Sequence, residues 1–219
     1  MGRGDYLLIA SRIVIAIPKV NLEAPPTLFK THSISPAMEQ IWEVARATSA
    51  ALTFFRSIAC GRDSIQFMDA GFGYNNPCKL LLQEAQRVFP KCKSEDFVVV
   101  SIDTGLKDLV AVQSSRTSIL LALTKMASSS QRVATEMESE LGGGKRYYRF
   151  DVASGLGTIG LAEWRRNDEI CTHTHIYMDQ PGQLRRVDAC AKVLSSDKTR
   201  GNKLSRNRKW ARFAWSSGA

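Results

Sequence analysis

The chain reads as an α/β protein with a mainly parallel sheet flanked by helices. Three observations predict this class. Ile13–Ile17 and Phe97–Ile102 are continuous apolar runs rich in β-branched residues, as expected of strands buried on both faces. Segments with apolar residues at helical spacing lie between such runs, the longest over Thr117–Leu141. Glycine, proline and asparagine clusters separate the two kinds of segment.

The elements follow in order. Ile13–Ile17 is the first strand, Pro25-Pro26 marks a loop, and Thr27–Thr31 is a second short strand. Ser35 before Pro36 gives a hydroxyl cap with proline at the first helical position. Met38, Trp42, Ala45, Ser49 and Leu52 then recur with helical period. Ile65–Met68 is a strand leading into Asp69, and Ala70-Gly71-Phe72-Gly73 reads as a flexible turn. Asn75-Asn76-Pro77 starts the next helix, whose apolar face is Leu81, Leu82, Ala85, Val88 and Phe89. Phe97–Ile102 is a strand ending at Asp103, and the long helix over Thr117–Leu141 follows. Arg146–Val152 is a strand, and helices over Ile159–Met178 and Pro181–Leu194 close a globular part spanning residues 1–194.

Residues 195–219 form a basic tail expected to be disordered. Seven lysines and arginines stand there against Asp197 alone, so most of the net charge of +9 belongs to the tail. Trp210, Phe213 and Trp215 lie among those charges, and the functional reading is contact with an anionic surface; no specific nucleic-acid partner is expected. Hydrophobic residues make up 44% of the 219, enough for a substantial core. The five cysteines include no C-x-x-C pair, which fits reduced thiols and a cytoplasmic location, and the basic tail adds the expectation of peripheral membrane contact. No apolar run reaches transmembrane length.

Several motifs invite a function and lose it on context. Gly155–Gly160 spells G-L-G-T-I-G, but a dinucleotide site needs a second parallel strand after the helix, and here a further helix follows. Gly142-Gly143-Gly144 follows a helix and precedes a strand, the order of a helix stop rather than an anion cradle. Cys171, His173 and His175 cannot all share one helical face, and no second ligand pair accompanies them. No metal or cofactor is expected.

The remaining candidate is Asp69, a carboxylate presented at a strand end, with Ala70, Gly71, Asn75, Asn76 and Pro77 as the supporting turn. Its plainer role is that of a turn or capping acid. The segments I-W-E-V-A-R-A-T-S-A-A (41–51), F-M-D-A-G-F-G-Y-N-N-P (67–77) and V-V-V-S-I-D-T-G (98–105) change the weighing. With Y-Y-R-F-D-V (147–152) and I-G-L-A-E-W (159–164), they resemble the C-terminal half of a patatin-like phospholipase domain of fungal type.

The resemblance implies a patatin-like fold, incomplete at its N-terminal side, and a lipid acyl hydrolase acting on phospholipid or acylglycerol esters through a Ser-Asp dyad. Asp69 would be the dyad aspartate. The chain contains no G-x-S-x-G, so the expectation is a truncated domain without its own activity, or a non-catalytic remnant that binds lipid or protein. Ser49 lies among alanines in a helical stretch and is not expected to act as the nucleophile. Ala70 stands where the family motif has glycine; a left-handed backbone there would strain alanine by about 1 kcal/mol or more. Asp103 replaces a glycine of the usual S-I-G-T-G, adding a charge near a strand end.

Overall fold

In a computed structural model the described residues are 13–18, 25–31, 40–51, 54–103, 117–152, 154–156, 159, 163–200 and 214–215. The chain divides into two units, one running to Asn75 and one starting at Asn76.

The first unit is built on a four-stranded sheet. Its strands are β1 (Ile13–Pro18), β2 (Thr27–Lys30), β3 (Ile58–Cys60) and β4 (Ile65–Asp69), in the order β2-β1-β4-β3. Every pairing is antiparallel, which corrects the expectation of a mainly parallel sheet for this half of the chain. For the β1–β2 and β3–β4 pairs the reason is connection length. A parallel crossover needs about a dozen residues or more, and the links from Pro18 to Thr27 and from Cys60 to Ile65 are shorter. The second link is a tight turn closed by the Ser64 N–H on the Gly61 carbonyl, with Gly61 at φ 72° and Ser64 at φ 52°. Strand β3 carries no strong apolar run, so the sequence pattern did not announce it.

Strand alternation gives this sheet two apolar faces. Ala16, Phe29, Cys60 and Phe67 form one cluster with Ala47, while Ile17 and Met68 form another with Ala50 and Ala70. Ala16 is small, and the Phe29 and Phe67 rings meet edge to face at 5.3 Å. Helix α1 (Ile41–Thr48) packs through Val44 and Ala47, and the Thr48 hydroxyl donates to the Ile15 carbonyl at 2.8 Å. Its first turn is fixed by the Gln40 N–H donating to the Glu43 carboxylate. The expected helix start at Ser35-Pro36, and Leu52 at its far end, lie outside the described residues.

The second unit does contain the expected parallel pairing. Strands β5 (Val99–Asp103) and β6 (Tyr147–Asp151) pair in parallel, connected through the 25-residue helix α4 (Thr117–Leu141). One face of this sheet packs Phe97, Val99 and Tyr147 against Cys78, Leu82, Ala134, Met137 and Leu141. The first two of those partners belong to α3 (Cys78–Val88). The other face packs Val98 and Tyr148 against Cys190 of α6 (Pro181–Arg200). Helix α4 stops where Gly142 and Gly144 adopt φ near 70° and the Gly142 N–H returns to the Glu138 carbonyl, the helix-stop role expected of that glycine run.

Two helix boundaries differ from the sequence expectation. Helix α5 covers Asn167–Met178 rather than starting at Ile159; residues 163–166 form a turn in which Arg166 binds both Glu163 and Glu169. Helix α6 runs on to Arg200, past Leu194. In the basic tail, Ala214–Trp215 form β7, parallel to β5; residues 201–213 and 216–219 lie outside the described set. No helix among the described residues is long and apolar enough to cross a membrane.

Candidate functional site

Asp69 is the last residue of β4, opposite Ala16 of β1. Its own N–H donates to the Ala50 carbonyl at 3.1 Å, tying the strand end to the chain that leaves α1. Its Oδ1 accepts the Gly71 N–H at 3.1 Å, an Asx-type turn that aims the carboxylate back over the following backbone. Burial pushes the Asp69 pKa above the ordinary carboxylate value; hydrogen bonds from the Gly71 and Ala70 N–H groups pull the other way and only partly offset it. The group is a half-buried carboxyl at a strand end with a raised proton affinity, a combination suited to exchanging a proton with a neighbouring hydroxyl.

The turn itself differs from the flexible glycine loop expected. Ala70 has φ −78° and ψ −4°, in the right-handed region, so its methyl group is unstrained and sits buried with Ile17, Ala50 and Met68. Gly71–Tyr74 form a short helix, α2, whose Gly73 and Tyr74 N–H groups return to the Ala70 carbonyl. Neither Gly71 nor Gly73 has positive φ. Asn75 is buried, and among the described residues neither of its amide atoms has a hydrogen-bond partner.

In the second unit, the Asn76 Oδ1 accepts the Cys78 N–H at 3.2 Å, the capping role expected of it, and its amide donates to the Ser130 carbonyl. Pro77 lies just before α3, and its carbonyl receives the Leu81 N–H. Ser49 follows α1 directly, and its hydroxyl donates to the Arg46 carbonyl.

A second polar constellation, not anticipated from the sequence, occupies the C-terminal ends of β5 and β6. Arg149 is buried and donates to the Asp103 carboxylate, to the Ser101 hydroxyl at 3.2 Å and to the Ser130 hydroxyl at 3.2 Å; Asp151 lies 3.4 Å from the same guanidinium. The Ser130 hydroxyl in turn donates to Asp103 at 3.1 Å. Burial opposes the charge of Arg149 most strongly, but Asp103 and Asp151 act against it and leave the guanidinium pKa above its ordinary value. The charge of Asp103 was visible in the sequence as a departure from a glycine. Its partner was legible only as an arginine among the inward-facing positions 147, 149 and 151 of a strand.

The G-L-G-T-I-G stretch also has a structural role. Gly155 has φ +88°, and a Cβ there would fall 2.1 Å from His173 Nδ1, so the imidazole of α5 packs directly on glycine backbone. That approach separates His173 in role from Cys171, which is exposed.

No family model and no solved structure matches the chain. Curated relatives do. Mouse calcium-independent phospholipase A2-gamma is 29% identical over 181 residues, covering 80% of this chain and 22% of the relative. The rat protein is likewise 29% identical, and the human protein is 26% identical over 182 residues with the same coverage. The chain therefore spans about a fifth of the length of the curated relatives it matches, and is similar over most of its own length to a portion of proteins named as phospholipases.

Proposed function

We propose that this chain is part of a patatin-like lipid acyl hydrolase, carrying the aspartate of a Ser-Asp dyad at Asp69 and lacking the serine elbow and oxyanion loop that would make it active alone. The observation that carries the reading is the similarity to calcium-independent phospholipase A2-gamma across 80% of the chain. The position of Asp69 supports it: a carboxyl with raised proton affinity, held at a strand end by the Gly71 N–H. In a complete site such a group would orient the serine hydroxyl and take its proton, and water would then hydrolyse the acyl-enzyme. Dyad and oxyanion donors act as a unit, so a chain holding only the acid forfeits most of the acceleration.

Lipid or phospholipid esters are the substrate class that goes with this reading, and a cytoplasmic location with peripheral membrane contact accompanies it. A fluorophosphonate probe tests the proposal: the chain alone remains unlabelled. Labelling of this polypeptide that disappears in Asp69→Asn would overturn the inactivity. A second reading, a non-catalytic lipid-binding remnant, is favoured by the absence of any G-x-S-x-G in the 219 residues.

A further inference from the structure

The inner face of α1 is accounted for by Val44 and Ala47 in the core of the first unit. Its outer face is not polar. Ile41 is 89% exposed and Trp42 59% exposed, with Ala45 exposed beside them. A surface helix ordinarily presents charged residues to water, and large apolar side chains grouped on an exposed face mark a contact surface. The patch continues beyond the helix. Arg46, one turn after Trp42, places its guanidinium 5.3 Å from the centre of the Phe55 ring and donates to the Arg56 carbonyl at 2.9 Å. Phe55 is 60% exposed and Phe54 is exposed beside it. Aromatic and aliphatic groups are thus interleaved with the positive charges of Arg46 and Arg56. Glu43, on the same helix, accepts the Gln40 N–H at the helix start.

We propose that this face, Ile41, Trp42, Phe54 and Phe55 framed by Arg46 and Arg56, docks on an anionic phospholipid bilayer. The charge pattern favours that occupant. Tryptophan and phenylalanine partition into the headgroup boundary, and the exposed Arg56 at the rim pairs with lipid phosphates and carboxylates, while the half-buried Arg46 adds its charge behind the Phe55 ring. The Trp42 indole N–H already has a partner in the Gln40 side chain at 2.7 Å, so the ring can enter the boundary without leaving its polar atom unsatisfied. The inference rests on the lipid reading above and names the surface by which the chain would reach its substrate layer.

The test uses the full chain and vesicles of phosphatidylcholine alone or with about 30 mol% phosphatidylserine. The basic tail will also attract anionic vesicles, so sedimentation alone does not isolate the patch. A Trp164→Phe/Trp210→Phe/Trp215→Phe variant leaves Trp42 as sole reporter. Its emission should shift to the blue on anionic vesicles and be quenched by brominated acyl chains. Trp42→Ala/Phe55→Ala should weaken partitioning by about tenfold with an unchanged thermal transition. Arg46→Gln/Arg56→Gln should narrow the preference for anionic over neutral vesicles.

Vesicle-bound chain with unchanged Trp42 emission would assign the binding to the tail and overturn the proposal. So would a concentration-dependent dimer, lost in Trp42→Ala/Phe55→Ala, that buries Trp42 without lipid. Binding is read without turnover, so its failure leaves the dyad assignment of Asp69, tested by probe labelling, untouched.

Discussion

Replacing Arg149 by methionine should be among the most damaging single changes in the second unit. Methionine preserves much of the side-chain volume and removes the charge. The guanidinium side chain is 8% exposed and its two carboxylate partners, Asp103 and Asp151, are 4% and 10% exposed. Without Arg149 these carboxylates lose the buried cation that lies between them at the paired ends of β5 and β6. Breaking a buried pair in this way costs about 3–5 kcal/mol, a large fraction of the 5–15 kcal/mol that stabilises a typical domain. With a urea m-value of about 2 kcal/mol/M, the midpoint should fall by about 2 M. Urea titration followed by circular dichroism measures this. Arg149→Met/Asp103→Leu removes both members of the closest pair and should recover part of the loss. A single Arg149→Met variant within about 1 kcal/mol of the parent would refute the reasoning, because the carboxylates would then be solvated or protonated without penalty.

Two predictions concern the Asp69 turn. Burial raises the Asp69 pKa, so the folded state holds its proton more tightly than the unfolded chain; the stability this contributes is fully present below the ordinary carboxylate pKa and is lost as pH rises through the folded value. Asp69→Asn should therefore be at least as stable as the parent at pH 7 and show a smaller gain on mild acidification, measured by thermal denaturation from pH 7 to pH 4; a marked loss at pH 7 would contradict it. Ala70→Gly, which restores the family's usual residue, should destabilise by about 1–2 kcal/mol, because it frees a backbone already right-handed and removes a buried methyl group. A raised melting temperature would show that Ala70 is strained after all.

Much of the second unit was legible in the sequence because its signals are local. The apolar run ending at Asp103, the helical period over Thr117–Leu141 and the glycines after Leu141 each act within one element, and each appears where expected. The pairing of the first unit is not legible in the same way. Short apolar strands specify burial but not direction, and direction here follows from links too short for a crossover. The glycines after Asp69 suggest a flexible turn, whereas the Asp69 carboxylate and the Ala70 carbonyl organise it into a short helix.

The sequence by itself determined the strand that delivers Asp69, the cap at Asn76, the long helix and a resemblance that the curated phospholipases share in part. Only the tertiary structure decided that Ala70 is unstrained, that Arg149 neutralises Asp103, and that Ile41 and Trp42 of α1 are exposed. Backbone propensity and periodicity act over a few residues and survive in the linear pattern. Ion pairing and exposure depend on which distant segments meet: Asp103 and Arg149 become partners through the parallel register of β5 and β6.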